Sequence, residues 1–297
     1  MDIHLVDATY ELFRAYHAPR PPVHGRDGMS LGAVAGLVET LLFLLRREGA
    51  THVGCAHDRV IRSFRNDLGP GYKTEAGVPA DLLAQFPVAE EAIRALGLVL
   101  WPMVEVEADD ALATAAARFS GAPGVERVVI CTVDKDLAQC VRDGRVVLRD
   151  RRRQVTYDEA AVVERWGVPP AAIPDYLALV GDAADGFPGL PGFGPRTAAA
   201  LLARFGRLEA IPGEASSWDV PVRGPERLAA TLRERRADAF LFRHLATLRT
   251  DVDLGERDPG DLLWRGTPRT AWAEFCGRWE LPSLDRRPHR WREDGPR

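Results

Sequence analysis

Residues 180–202 read VGDAADGFPGLPGFGPRTAAALL, and this stretch decides how the rest of the chain is interpreted. Its first half places two carboxylates, Asp182 and Asp185, after an apolar run. Its second half is a Gly/Pro-rich turn that opens into an Ala/Leu helix. The backbone N–H groups of such a turn and helix start suit the binding of phosphate. The stretch therefore indicates a metal site followed by a contact for a nucleic-acid backbone.

The bulk properties are those of a soluble protein of one large or two modest domains, with 297 residues, 46% hydrophobic and 28% charged. The most apolar stretch, residues 31–45, is interrupted by Glu39 and is shorter than the roughly 20 residues that cross a bilayer. A packed helix is expected there, and no membrane association. The four cysteines form no CxxC pair, which indicates free thiols in a reducing cytoplasm.

Three short apolar runs end at an acid and read as strands: 3–6 before Asp7, 52–57 before Asp58, and 127–133 before Asp134. Because helical patterns separate them, we expect an α/β layer with a mostly parallel sheet, to which residues 146–148 add an edge strand. Beyond about residue 157 the pattern is helical, which predicts an all-helical second unit. Its helices are expected at 158–166, 171–181, 195–205, 225–234 and 237–248. The Arg/Pro-rich tail from Pro282 is expected to be poorly ordered.

The acids at the strand ends predict a metal-binding edge, because ligands of open α/β sheets bind at the carboxyl ends of the strands. Glu107, Asp109 and Asp110 open a predicted helix that should begin near the same edge, and Asp182 and Asp185 complete the set. Two like charges about 4 Å apart repel by roughly 4 kcal/mol at an effective dielectric near 20. Such a cluster needs neutralising cations, and oxygen ligands favour Mg²⁺ or Mn²⁺. Two such ions suit phosphodiester hydrolysis.

Simpler interpretations stay open for the individual residues. Acids in the first turn of a helix usually cap it or interact with its dipole, which would account for Glu107, Asp109 and Asp110 without a metal. Lys135 stands between Asp134 and Asp136, as an electrostatic helper or as a surface ion pair. The net charge of −4 does not itself suggest a nucleic-acid partner, although the distribution of charge matters more than its sum.

Taken together, the motifs resemble those of the 5′ nucleases: bacterial 5′-3′ exonucleases, the N-terminal nuclease domain of DNA polymerase I, and flap endonucleases. The matching pieces cover roughly residues 3–254 in the family's order. They are VDATYELFRAYHA, HD with SFR and GYK, VEADDALA, TVDKDLAQ, YLALVGDAADGFPGLPGFGPRTAAALL and LATLRTDVDL. The resemblance implies a PIN-like three-layer α/β nuclease domain over residues 1–165, with an arch segment at about 59–85. A helix-three-turn-helix domain with a duplex-binding motif would follow over 166–281, and a basic tail over 282–297.

The resemblance also assigns roles to residues. It implies one metal site built from Asp7, Asp58, Glu107, Asp109 and Asp110, and a second that draws on Asp134, Asp136, Asp182 and Asp185. It implies that Arg14, Arg65, Lys73 and Lys135 face the DNA phosphates, with Lys135 and Arg14 assisting catalysis. In the family, the hairpin matched by Gly192-Phe193-Gly194 holds the duplex backbone, often with K⁺; Arg196 stands in place of a lysine, and Thr197 follows it.

The chain departs from the family pattern outside the metal ligands. The glycine after the first acid is Ala8, and the phenylalanine before the second is His57. Two basic positions of the arch carry Val60 and the pair Glu75-Ala76, with Arg59 and Arg62 as candidates to compensate. These changes concern the grip on a 5′ single strand more than the metal chemistry.

The sequence thus predicts a stand-alone, structure-specific 5′-3′ exonuclease and flap endonuclease that cleaves DNA near a junction of 5′ single strand and duplex. The resemblance implies flaps, nicks, overhangs and RNA–DNA hybrids as partners, a monomer, and roles in replication and repair. One alternative is a protein that binds branched DNA but cleaves it poorly because its arch is altered. Another is a PIN-type ribonuclease, which does not account for the duplex-binding hairpin.

Overall fold

The structure is a computed structural model, and it describes residues 1–293. Its strands in chain order are β1 (Asp2–Asp7), β2 (His52–Asp58), β3 (Val99–Met103), β4 (Arg127–Cys131), β5 (Val146–Asp150), β6 (Val155–Tyr157), β7 (Thr267–Pro268) and β8 (Trp291–Arg292).

The first helices are α1 (Ala8–His17), α2 (Gly32–Arg46), α3 (Arg65–Leu68), α4 (Ala80–Leu83), α5 (Phe86–Ala95) and α6 (Ala108–Phe119). The later ones are α7 (Glu159–Trp166), α8 (Ile173–Val180), α9 (Pro195–Phe205), α10 (Pro225–Glu234), α11 (Arg236–Ala246), α12 (Arg269–Arg278) and α13 (Pro282–Asp285).

The chain forms two compact units that each combine separate segments of sequence. The first contains Met1–Ile61, Glu75–Thr132 and the described part of Thr250–Arg297, and the second contains Arg62–Thr74 and Val133–Arg249. The domain boundary predicted between residues 165 and 166 stays a prediction, because these units divide the chain at other points.

A parallel sheet in the order β3-β2-β1-β4 forms the centre of the first unit. Leu5 of β1 lies beside Gly54 of β2 on one side and Ile130 of β4 on the other. Leu5 and Ile130 are fully buried, as expected for a parallel sheet covered on both faces. Gly54 is required for close packing, because a Cβ atom there would lie 2.3 Å from the Trp101 ring. All four strands point the same way, so β1 and β2 bring Asp7 and Asp58 to one edge.

Helix α2 contains most of the apolar stretch singled out in the sequence. Leu37, Leu41 and Leu44 are fully buried, and the helix packs on α1 and α5. The prediction of a packed helix is therefore confirmed. Within residues 1–293, no helix combines the length and apolar character needed to cross a membrane.

The second unit is mainly helical, with α8 packed between α9 and α11. It also contains an antiparallel hairpin of β5 and β6, in which Leu148 pairs with Tyr157. Residues 146–148 therefore do not form the edge strand that we predicted, because β6 follows within a few residues and pairs with them. Helices α9 and α10 have the predicted bounds, since Pro195 and Pro225 open them and Gly206 directly follows α9.

The prediction of a poorly ordered tail is wrong for residues 282–293. Leu284 in α13 is 1% exposed, and the Trp272 indole N–H donates to its carbonyl oxygen at 3.2 Å. Trp291 of β8 pairs with Thr267 of β7. The tail is ordered because its few apolar side chains are buried, which its Arg/Pro-rich composition does not indicate. Residues 294–297 of the predicted basic tail lie outside the described residues.

Candidate active site

Two acids at the carboxyl edge of the first unit's sheet are fixed by hydrogen bonds. Asp7 accepts from the Tyr10 N–H at 2.8 Å, which caps α1, and from the Thr132 hydroxyl at 2.9 Å. Asp58 accepts from the Ala108 N–H at the start of α6, at 2.7 Å. Each carboxylate is thereby oriented through one of the helices that begin at this edge.

The acids at the start of α6 also fulfil the capping interpretation. Asp110 accepts from the Glu107 N–H at 3.0 Å, and the two residues form a capping box. Glu107 and Asp110 are nevertheless buried, and Asp109 is half-buried beside them. Capping accounts for part of their hydrogen bonding, and burial of two acids in one helical turn exceeds what capping requires.

A compact group of carboxylates lies in the second unit. One oxygen each of Asp136, Asp182 and Asp185 lies within 4.8 Å of the others. Asp134 joins them through its Oδ1 atom, which accepts from the Asp136 N–H at 2.9 Å. Across the described part of the chain this is the one group of at least three potential ligands with such spacing.

The local backbone explains how Asp182 is positioned. It follows Gly181, whose φ of 85° suits glycine, and a Cβ atom at Gly181 would lie 2.5 Å from the Pro188 backbone. The Asp182 N–H donates to the Phe187 carbonyl at 2.8 Å, and the Phe187 N–H donates back to Asp182 at 3.0 Å. This closed turn gives the GDAADGFPG segment its fixed shape.

Electrostatics in the second group favour a bound cation. Burial raises the pKa of Asp136 well above its usual value, and Asp134, Asp185 and Asp182 raise it further. The pKa of Asp134 is also raised, first by burial and also by the Asp185 charge. A hard divalent cation would relieve this repulsion, and an all-carboxylate donor set fits such an ion.

Two lysines bind the same carboxylates. The Lys135 ammonium lies 2.5 Å from Asp182 Oδ2, and the Lys73 ammonium lies 3.0 Å from Asp185 Oδ1. Burial alone would lower the pKa of Lys135, but the hydrogen bond to Asp182 and the charges of Asp182, Asp136 and Asp134 outweigh it and raise that pKa. Both side chains remain partly exposed, at 33% and 25%. They therefore combine a charge at the acidic group with access to solvent.

Two arginines expected to face DNA have different surroundings. Arg14 is 31% exposed, pairs with the buried Glu11, and donates to the Thr40 hydroxyl at 2.7 Å. Arg65 is 1% exposed, and its guanidinium donates to the carbonyl oxygens of Leu245 at 2.8 Å and Thr247 at 3.1 Å. The expectation that Arg65 faces phosphates is therefore wrong in this structure, because the side chain joins α3 to the end of α11.

The expected duplex contact is an exposed turn at the start of a helix. Gly192 has a φ of 89°, Phe193 is 5% exposed and anchors the turn, and Gly194 is the N-cap of α9. Arg196 is exposed and Thr197 half-buried in the first turn of α9. The first N–H groups of a helix lack partners within it, so this turn offers donors to an anion.

Sequence reasoning missed two residues that bear on the site. Thr132 binds Asp7, and its position two residues before Asp134 was the available signal. Glu90 on α5 lies against both sequence neighbours of Asp58, and one of two adjacent acids in an amphipathic helix carries no signal of such a contact.

The fold and these acids define a class of α/β proteins that gather carboxylates at the carboxyl edge of a parallel sheet to bind divalent cations. Residues 2–167 match the model of the 5′-3′ exonuclease N-terminal resolvase-like domain, and residues 168–267 match that of the 5′-3′ exonuclease C-terminal SAM fold. The chain belongs to the 5′-3′ exonuclease family.

Similar proteins include the DNA polymerase I of Pseudomonas aeruginosa, 38% identical over 274 residues, which cover 89% of this chain and 29% of that protein. The DNA polymerase I of Rhizobium leguminosarum is 38% identical over 258 residues, covering 84% of this chain and 25% of that protein. The chain thus spans less than a third of the length of these relatives.

Solved structures share the fold. T5 5′-exonuclease with bound divalent zinc aligns with a TM-score of 0.67 at 19% identity, covering 84% of this chain and 90% of that one. The catalytic core of Rad2 with DNA substrate aligns at 0.58 and 16% identity, covering 92% and 86%. The family resemblance and the PIN-like fold with a helical C-terminal part, both predicted from the motifs, are confirmed.

Proposed function

We propose that this chain is a structure-specific 5′ nuclease that hydrolyses DNA phosphodiester bonds near the junction of a 5′ single strand and a duplex. The observation that carries the proposal is the group of Asp136, Asp182 and Asp185, whose oxygens lie within 4.8 Å of one another. Lys135 and Lys73 bind that group, so a phosphate brought to it would meet cationic donors. The expected products are a 5′-phosphate and a 3′-hydroxyl.

We further propose two divalent ions, Mg²⁺ or Mn²⁺. Asp134, Asp136, Asp182 and Asp185 would hold one, and Asp7, Asp58, Glu107, Asp109 and Asp110 would hold the other. Bound ions of this kind polarise the phosphate and lower the pKa of the attacking water. In the first unit, the hydrogen bonds to Asp7 and Asp58 keep their carboxylates oriented.

The chain's own cations would position the substrate. The ammonium groups of Lys135 and Lys73 lie at the carboxylates, so they could exchange a carboxylate oxygen for a phosphate oxygen of bound DNA. The Arg14 guanidinium, paired with Glu11, is partly exposed and could also contact a phosphate. Gly192, Gly194, Arg196 and Thr197 would hold the duplex backbone, with K⁺ at the Gly192–Gly194 turn. Arg196 is the side chain of this set best placed for phosphate, because it is exposed in the first turn of α9.

The names of the solved neighbours support the substrate class: Rad2 with DNA substrate, and a T5 flap endonuclease with DNA and metal ions. We extend this to flaps, nicks, overhangs and RNA–DNA hybrids, acted on by a monomer in replication and repair. A cytoplasmic location is supported by Cys55, Cys131 and Cys276, which are buried free thiols.

A second candidate, a branched-DNA-binding protein with little cleavage, is favoured by the arch. Arg65 is buried, and Val60, at an arch position that is basic in the family, is 39% exposed. Fewer cations are therefore available there for a 5′ single strand. The third interpretation, a ribonuclease, has no such observation in its favour.

The test is cleavage of a 5′-end-labelled flap duplex with Mg²⁺, Mn²⁺ or EDTA, using wild type, Asp182→Asn and the control Asp219→Asn. Asp219 is an exposed acid of the same unit that pairs with Arg204. We expect metal-dependent cleavage near the junction by wild type and the control, and none by Asp182→Asn. Tight flap binding without cleavage in either metal would favour the binding protein.

A further inference from the structure

Glu90 is a buried acid outside the proposed ligand set. It lies on α5 and is 3% exposed. Its carboxylate receives the Arg59 guanidinium in a two-point contact, with Nε 3.1 Å from Oε1 and Nη2 2.5 Å from Oε2. Its Oε1 also lies 3.5 Å from Nδ1 of His57, and its Oε2 accepts from Arg94 at 3.3 Å. One carboxylate therefore serves three basic side chains.

Two of the residues that Glu90 contacts, His57 and Arg59, directly precede and follow Asp58 in the sequence. Side chains alternate along a strand, so His57 and Arg59 share a side of the chain at the end of β2 while Asp58 points the other way. On its side Asp58 binds the Ala108 N–H, and its own N–H donates to the Thr9 hydroxyl at 2.8 Å. Glu90 thus holds both neighbours of a residue whose carboxylate direction matters for metal binding.

The surroundings of His57 show how strongly this arrangement depends on Glu90. The His57 ring is fully buried, and neither of its nitrogens has a hydrogen-bond partner among residues 1–293. The Glu90 carboxylate lies 3.5 Å from its Nδ1 atom. Burial opposes ionisation of Glu90, but the close contacts of its carboxylate with His57 and Arg59 lower its pKa to about 2. The acid is therefore charged at neutral pH and attracts both side chains.

The contact between Glu90 and Arg59 also keeps a positive charge in place near the proposed metal ligands. Arg59 directly follows Asp58, and its side chain is 50% exposed. A guanidinium released from Glu90 would be a mobile cation next to the acidic edge, able to pair with carboxylates and compete with a divalent ion. Because Arg59 is bound to Glu90, it does not replace the basic side chain that the family has at the position of Val60.

We propose that Glu90 is a positioning residue for the metal site of the first unit: it holds His57 and Arg59, keeps Asp58 directed at the start of α6, and keeps the Arg59 charge off the metal ligands. This inference rests on the proposed role of Asp58 as a ligand. Groups that orient metal ligands indirectly commonly change affinity by about 10–100-fold when mutated. We expect the lower end of that range, since Glu90 acts through its neighbours.

The experiment measures Mn²⁺ binding to the full chain by calorimetry, without DNA, for wild type, Asp58→Asn, Glu90→Gln and Glu91→Gln. Glu91 is the matched control, because it is the adjacent acid on α5 and binds Arg278 and the Trp279 indole instead. We expect the Asp58-dependent dissociation constant to rise about tenfold in Glu90→Gln and to stay within twofold of wild type in Glu91→Gln.

A variant without the basic side chains tests the cause. In His57→Phe/Arg59→Ala/Glu90→Leu, the Glu90 carboxylate is removed together with the two side chains that it holds next to Asp58, and apolar groups replace a partly buried charge network, which proteins often tolerate. We expect Mn²⁺ affinity within threefold of wild type. This variant also answers the question if Glu90→Gln fails to fold.

The outcomes separate the two levels of inference. If Asp58→Asn binds Mn²⁺ as wild type does, the proposed ligand role of Asp58 fails. If Asp58→Asn binds more weakly but Glu90→Gln binds like wild type, the positioning role is overturned. If the triple variant binds at least tenfold more weakly than wild type, Glu90 does not act by holding its neighbours.

Discussion

Replacing Arg65 with methionine separates two roles that the arginine of the SFR motif can have: a contact inside the protein or a contact to DNA phosphates. The structure makes Arg65 an internal brace, buried with its guanidinium on the carbonyl oxygens of Leu245 and Thr247. Hydrogen bonds from a charged donor contribute about 1.5–3 kcal/mol each, so losing these two should lower the free energy of unfolding by about 3–6 kcal/mol. Methionine keeps most of the packing volume, so the loss reports mainly the polar contacts.

Urea unfolding followed by circular dichroism measures the stability, and flap binding over a salt series measures phosphate contacts. Each phosphate contact contributes about 0.9 to the slope of log affinity against log salt. Under conditions in which the variant is folded, Arg65→Met should have the same slope of log affinity against log salt as wild type. Arg62→Met is the control, since Arg62 is exposed in the same segment and should change stability by less than about 0.5 kcal/mol.

The opposite pattern would refute this reasoning. If Arg65→Met lost less than about 1 kcal/mol of stability and its salt slope fell by about one contact, the side chain would be a DNA contact. The guanidinium would then leave the carbonyl oxygens of Leu245 and Thr247 when DNA binds.

Three further predictions concern the acids and the turn that positions them. The pKa of Glu90 is lowered from 4.5 to about 2, so its stabilising contribution is present above 4.5 and is lost as the pH falls towards 2; acid unfolding followed by circular dichroism should be steeper in this window for wild type than for Glu90→Gln. Saturating Mn²⁺ at about 100 times its dissociation constant should stabilise the metal-free protein by about 2.7 kcal/mol, and thermal melting should show a smaller gain for Asp182→Asn. Gly181→Ala places a Cβ atom 2.5 Å from the Pro188 backbone; it should weaken Mn²⁺ binding more than Gly213→Ala, where the added atom meets nothing within 4 Å.

Local sequence patterns were sufficient to predict the ends of several strands and helices. Asp7 and Asp58 end β1 and β2 as the apolar runs predict, because a buried parallel strand is apolar until it reaches the sheet edge. The bounds of α9 were predicted because proline and glycine act on their immediate neighbours. The acidic group around Asp136 was expected for the same reason: its members follow a strand end or a Gly-rich turn.

Partners distant in sequence were beyond such reasoning. Arg65 reads as a surface arginine, and the carbonyl groups that bury it lie 180 residues further along the chain. Glu90 satisfies the pattern of an amphipathic helix whether it faces solvent or His57. The tail reads as disordered because its buried Leu284 is surrounded in sequence by arginine and proline. In each case tertiary packing decides the environment of the side chain.

The lysines of the second unit make the occupancy of this acidic group an exchange of cations. Lys135 and Lys73 already neutralise Asp182 and Asp185, so an arriving divalent ion displaces or shares with an ammonium group. The displaced ammonium then becomes available to a phosphate at the same place. If a divalent ion and nucleic acid both bind at this group, their binding is thermodynamically reciprocal, each changing the affinity for the other by the same factor. In this structure the two ammonium groups are the counterions of Asp182 and Asp185, at the place that a divalent ion would take.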